Sequence, residues 1–413
     1  MQNTKPQLIF TNTARASLRW ITSRVLAWVL AAVIARRKGS RMFSSEVYHV
    51  RSGLLSLLLA SALCGQQDKR VPSTGEFFYV GGKYSGDVMS GQMYVEALRP
   101  ARVTRKYPLV FFHGNSQTAT NWMGTPDGRP GWADYFLAQG YLVYLVDQPA
   151  RGRSAWHSKT NGALTIITLP DVENRFTAPE VGGLWPQAKL HTQWPSNSPM
   201  KGRRGDPVFD AFAATQVESL ASAAETETLV RDAGAALLDK IGPAILVTHS
   251  QSGSFGWLLA DVRPKAVKGI VAIEPAGPPF RNAVFNEDRN REWGIADIPL
   301  TYDPPAKSSA DLNPVREEKA AGPDLTVCWK QSDPPRRLVN LQNIPILLVV
   351  TEASYHAPFD HCTAKYLTQA GVKNTFVRLG DVGIHGNGHM LMLEKNSSEV
   401  ATFLQRWIAV KVK

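Results

Sequence analysis

Three cysteines in 413 residues are too few for a disulfide-stapled scaffold, and none stands with histidines at a spacing that suits zinc. No glycine-rich phosphate loop follows a strand pattern, so the usual nucleotide cradle is missing. Internal repeats are absent, which excludes solenoids and propellers. Acid is scarce at one end: the first 62 residues hold nine Lys or Arg against the single Glu46. Of the net charge of +11, that segment carries +8 and the rest only +3. The basic balance therefore belongs to a leader, and nucleic-acid binding loses its support.

The leader has a short apolar core, Gly53-Leu-Leu-Ser-Leu-Leu-Leu-Ala60, too short to span a bilayer. Arg51 precedes it, and Ala60-Ser-Ala62 offers a small-x-small cleavage site. A mature start near Leu63 follows, and a periplasmic or secreted location. An earlier apolar run at residues 25–34 makes this a two-part leader, or else places the true start at Met42; the ordinary length of a signal from Met42 favours the second. A membrane anchor at residues 20–35 is the competing reading, and membrane contact is expected only through an uncleaved leader. Leu63 is too large for a lipobox before Cys64. In an oxidising compartment Cys328 and Cys362 are then free to pair, one before the strand pattern at 344–350 and one at the start of the helix after it.

The remaining chain, 44% hydrophobic overall, is long enough for one α/β domain at 63–413 with insertions. Strand patterns end at residues 112, 147, 248, 273, 350 and 379, alternating with helical ones as a mostly parallel sheet requires. Residues 77–80 and 92–98 predict a hairpin turning at Gly81-Gly82. Residues 155–216, rich in Pro, Gly and Trp (Trp156, Trp185, Trp194), are too long for a plain loop and predict an aromatic-lined cap. Residues 278–343 form a second, irregular insertion, and residues 391–408 a closing amphipathic helix.

Chemistry concentrates at Ala244-Ile-Leu-Val-Thr-His-Ser-Gln-Ser-Gly253. A buried strand runs into a hydroxyl between small residues, and a helical pattern follows. A serine on such a sharp turn is a nucleophile elbow, whose strained backbone demands small neighbours two positions away. Here these are Thr248 and Ser252 rather than glycines. Ser252 and Ser254 have similar flanks but fall inside the first helical turn, where serine is more simply a cap, so the frame selects Ser250. Upstream, residues 107–116 read as a strand ending in His113-Gly114. That loop and the residue after the nucleophile donate the oxyanion-hole N–H groups, here Asn115 and Gln251. Downstream, Gly383-Ile-His-Gly-Asn-Gly-His-Met390 is a flexible loop able to carry a base, with His389 favoured and His385 shaping the loop. The acid stays open between Glu274, at the tip of the sixth strand pattern, and Glu352, after the seventh.

Residues 109–154 and 244–410 resemble the α/β-hydrolase superfamily, and within it a subgroup of secreted bacterial carboxylesterases. The resemblance rests on Thr125-Pro-Asp-Gly-Arg-Pro-Gly-Trp132, Asp147-Gln-Pro-Ala-Arg-Gly-Arg-Ser154, His249-Ser-Gln-Ser-Gly253, Val271-Ala-Ile-Glu-Pro275 and His385-Gly-Asn-Gly-His-Met390. It implies a mostly parallel sheet with helices on both faces, and a Ser250–His389–Glu274 triad whose acid follows strand six. One member carries adjacent cysteines after the His-Gly pair; Asn115-Ser116 stand there in this chain, so that disulfide cannot form. The expected activity is acyl transfer on a small-molecule ester, with no cofactor, metal or nucleic acid. Lactonase or amidase action on the same triad is the alternative, and a non-catalytic binding protein on this fold the more distant one.

Overall fold

The computed structural model describes residues 70–413; the leader, its cleavage site and Cys64 lie outside the described residues. Eight strands build the central sheet: β1 Ser73–Ser85, β2 Val88–Pro100, β3 Leu109–Phe112, β4 Val143–Asp147, β5 Ala244–His249, β6 Val267–Ile273, β7 Ile346–Val350 and β8 Thr375–Arg378. Their order is β1-β2-β4-β3-β5-β6-β7-β8. The β1–β2 and β2–β4 pairs are antiparallel, and every other pair is parallel. Phe111 and Leu145 enter one core layer with Val247 and Ile273, while Val110, Phe112, Leu246 and Ala272 enter the other. Strands buried on both faces read as continuous apolar runs, which is why the sequence marks them clearly.

Five principal helices cover the sheet: α1 Trp132–Ala138, α2 Ala223–Ile241, α3 Gly253–Val262, α4 Asp360–Gln369 and α5 Ser397–Lys411. Leu237 of α2 and Phe255 of α3 pack in the layer of Phe112, and Phe136 of α1 and Leu404 of α5 in the layer of Phe111. Ser222 caps α2 by accepting the Glu225 N–H at 3.1 Å, which satisfies one of the free donors at the helix start.

Two sequence expectations are corrected. The hairpin strands run on through Gly81-Gly82, with Gly81 opposite Gln92 and Lys83 opposite Ser90, and the chain reverses at Gly86-Asp87. The closing helix begins at Ser397 rather than residue 391. Residues 390–396 instead make turns, because the buried Glu394 carboxylate accepts the Gly388 N–H at 2.9 Å and holds the segment back over the preceding loop. Residues 278–343 are irregular in path but not peripheral: Phe280, Ile295, Ile298, Leu300 and Tyr302 belong to a core layer.

In the cap stretch, short helical turns at Leu169–Val172, Glu173–Thr177, Pro179–Gly182 and Pro186–Leu190 precede a longer helix at Pro207–Ala213. Of its three tryptophans, Trp185 packs on Tyr355 near the candidate site. Trp156 is exposed with its indole on the Gly162 carbonyl, and Trp194 is buried against Phe212 and Asp206. Cys328 and Cys362 are joined by a disulfide across 34 residues, with Cα atoms 5.3 Å apart. None of the helices among the described residues is long and apolar enough to cross a membrane.

Candidate active site

The β5–α3 junction is a tight turn at the sheet's carboxyl edge. His249 ends the strand in extended geometry, Ser250 stands at φ 57°, and a 3-10 turn Ser250–Ser252 leads into α3. A positive φ at a residue bearing a Cβ is costly and persists only where its surroundings impose it. Two contacts do so. The Ser252 hydroxyl accepts the His249 N–H at 2.8 Å and reaches the Phe112 carbonyl at 2.9 Å, tying the turn to β3. Gly253 lies so close to Pro275 that any Cβ would come within 2.3 Å of the proline Cβ. Ser252 is thus a structural hydroxyl, and the small residues around Ser250 are a packing demand.

Glu274 follows β6 at φ 45° and is fully buried. Its carboxylate accepts His389 Nδ1–H at 2.6 Å, the Thr351 N–H at 2.9 Å, and the Thr351 and Ser354 hydroxyls at 2.7 Å each. That bond fixes the His389 tautomer and leaves Nε2 as an acceptor. Burial pushes the His389 imidazole well below its usual range, and the nearby His356 ring adds to this. The ring is therefore neutral and able to take a proton. Glu352 does not reach His389. It accepts from His385 Nδ1 at 3.0 Å and from the Gly386 N–H, so this pair shapes the loop.

Several neighbours carried no sequence signal. The Tyr355 hydroxyl lies 3.4 Å from His389 Nε2. Burial, with Glu274 adding, raises this phenol beyond the range where it ionises in neutral water. Phe176, from the 155–216 stretch, stacks on His389 at 5.1 Å, and His356 stacks nearly parallel to it at 5.0 Å. His356 pairs with Asp360 at 2.8 Å; burial pushes the imidazole down to about 4 and the carboxyl well up. His249 Nε2–H donates to the His389 carbonyl at 2.9 Å and anchors the backbone of that residue.

Gly114 abuts the elbow: a Cβ there would stand 3.1 Å from the Ser250 Cβ. The next residue, Asn115, is exposed, whereas Ser116 is buried with its N–H on Ser219 Oγ at 3.1 Å. The loop is held from behind by the turn after β4. There the Gln148 side chain donates to the His113 carbonyl at 2.7 Å, and Arg151 Nη1 donates to the Gly114 carbonyl at 3.1 Å. Asp147 closes this turn by accepting from the Ala119 N–H and from Arg153 Nε, each at 2.8 Å. On the far side, Arg129 grips the Leu393 and Glu394 carbonyls beyond His389. His249, Glu274 and His389 hold possible ligand atoms within 4.8 Å of one another; His249 Nε2, His389 Nδ1 and the Glu274 carboxylate are engaged in hydrogen bonds, and His249 Nδ1 has no partner.

Comparisons with known proteins follow this geometry. A family model described as "Alpha/beta hydrolase family" matches residues 109–403. A protein named "Probable secreted lipase phiG", from Fungal sp., is 48% identical over 365 residues, covering 86% of this chain and 97% of that protein. Among solved structures, one described as a novel bacterial esterase superposes with a TM-score of 0.56 at 22% identity. It covers 84% of this chain, which spans 99% of it.

Proposed function

The chain belongs to the alpha/beta hydrolase family, and we propose that it is a serine carboxylic ester hydrolase acting through an acyl-enzyme. The observation that carries this reading is the 2.6 Å bond from His389 Nδ1 to the buried Glu274, beside a serine strained at φ 57° on the strand-to-helix turn. The relative named as a secreted lipase supports ester chemistry, and its name together with the Cys328–Cys362 disulfide supports export.

In the first step His389 Nε2 takes the Ser250 proton while Oγ bonds to the ester carbonyl carbon, and the carbonyl electrons move to oxygen. The Asn115 and Gln251 N–H groups hold that oxyanion, and each such donor is worth about 3 kcal/mol in the transition state. Glu274 stabilises the imidazolium without itself taking the proton. On collapse the bond to the alkoxide breaks, and the alcohol leaves with the proton from Nε2. Water then repeats both steps on the acyl-enzyme and releases the acid. Nothing in this sequence calls for a metal or cofactor, and the substrate is a small-molecule ester.

A panel of p-nitrophenyl esters of rising acyl length tests the reading. The wild-type protein is expected to turn over part of the panel, and Ser250→Ala to lose that activity by several orders of magnitude while staying folded. Undiminished turnover by a folded Ser250→Ala protein would refute it.

A further inference from the structure

Arg151 is a buried cation without an ion-pair partner. Its side chain lies in the turn after β4 and is only 4% exposed. Its sequence neighbour Asp147 has its oxygens on the Ala119 N–H and on Arg153, and Arg153 bridges onward to Glu96. Among the described residues no carboxylate lies within salt-bridge distance of Arg151, and its Nε takes no hydrogen bond. An unpaired charge is expensive to bury and is retained where its charge is used.

Its contacts show where. Nη1 donates to the Gly114 carbonyl at 3.1 Å and to Gln251 Oε1 at 3.3 Å. These two acceptors belong to the peptide preceding Asn115 and to the residue after Ser250. In a trans peptide the C=O of one residue and the N–H of the next point in opposite directions. A donor fixed on the Gly114 carbonyl therefore fixes the Asn115 N–H on the opposite side of the same plane. A second donor assists: His113 Nδ1–H reaches the same carbonyl at 3.0 Å, while its Nε2 accepts the Gln148 N–H at 3.2 Å. Burial, and then the Arg151 charge, hold His113 down at about 3, so this ring stays a neutral donor. The two rear donors differ in kind, one neutral and one cationic.

We propose that Arg151 is the positioning residue of the oxyanion hole, holding the Gly114 carbonyl and the Gln251 side chain so that the Asn115 and Gln251 N–H groups stay fixed, and leaving its charge for the oxyanion. This rests on the acyl-transfer reading above. Charge of this kind acts strongly because the surroundings are dry and do not reorganise as the oxyanion forms. The side chain does not touch the substrate; it works through the backbone it grips.

Arg151→Met and Arg151→Lys, in the full chain, test this with kcat and KM measured separately on a p-nitrophenyl ester that the wild type cleaves. Binding is measured for a trifluoromethyl ketone, which forms an oxyanion on the enzyme, and for the matching ether, which cannot. Arg151→Met should lower kcat by roughly 10²- to 10³-fold with KM nearly unchanged, the loss typical of one oxyanion-hole donor. Ketone affinity should fall by a similar factor and ether affinity stay constant, with Arg151→Lys recovering part of both. A merely structural role would weaken ketone and ether alike; that result, or a folded Arg151→Met with wild-type kcat, would overturn the proposal. Should Arg151→Met not fold, Arg151→Gln decides: a neutral amide on a shorter stem brings neither the charge nor the reach of Nη1, which serves both acceptors, so an unchanged kcat would count against the proposal. A wild-type protein that cleaves no ester and takes no ketone would sink the acyl-transfer reading itself, and this inference with it. An active wild type indifferent to Arg151 sinks the inference alone.

Discussion

Glu274 and Glu352 stand at the tips of adjacent strands, and burial separates their roles. Glu274 is fully buried, and its oxygens are filled by two hydroxyls, one backbone N–H and His389. Glu352 is half-buried and attached to His385 and the Gly386 N–H. A carboxylate that holds the tautomer of a base is worth about 10⁴-fold in turnover. Glu274→Gln should therefore lose turnover on that order with KM little changed, while Glu352→Gln loses no more than a few-fold. Steady-state kinetics of the two variants checks this, and the opposite pattern would hand the role to Glu352. The sequence left this choice open because both residues end apolar strand runs; only the contacts around each carboxylate separate them. Tyr355 and Phe176 carried no signal, and Arg151 stood in the Asp147–Ser154 motif with no role attached to it. Their places depend on how irregular segments fold back over the sheet, and no periodicity in those segments encodes it.

At the scale of elements, the 155–216 stretch is tied to the turns after His389 by His191. Its fully buried ring sits between Glu180 at 2.6 Å and Glu394 at 2.8 Å, and Glu394 also accepts from the Asn387 side chain and the Gly388 N–H. Burial alone would push this imidazole down, but the two carboxylates carry it up to about 9. Its folded-state value exceeds the unfolded value of about 6.5, so its stabilisation is complete below that pH and is lost as pH rises through about 9. The span corresponds to stability on the order of 3 kcal/mol. Denaturant midpoints at pH 6 and pH 10 should thus fall further apart for wild type than for His191→Gln. Equal pH dependence in both proteins would contradict the clasp. Element legibility follows the same physics. Strands buried on two faces announce themselves as apolar runs, whereas the apolar Leu391-Met-Leu393 imitates a helix start while packing as turns under Glu394.

For the whole molecule, the disulfide joins the irregular stretch after β6 to α4, which follows β7. Closing a loop of 34 residues restricts the unfolded chain by about 3–4 kcal/mol. Reduced protein, or Cys328→Ala, should unfold at clearly lower denaturant while keeping ester turnover under native conditions, since neither cysteine touches Ser250 or His389 among the described contacts. A thermal midpoint unmoved by reduction would contradict this. The overall architecture was the most legible level: the alternation of strands and helices in a mostly parallel sheet follows from the spacing of apolar runs. The central claim, that Ser250 is the nucleophile of a Ser250–His389–Glu274 unit, meets its most direct test in peptide mass spectrometry after treatment with a fluorophosphonate. The account predicts one phosphonyl adduct per chain, on Ser250, which fails to form in Glu274→Gln at comparable times. An adduct on Ser252 or Ser254, or a folded wild-type protein that takes no label, would contradict it.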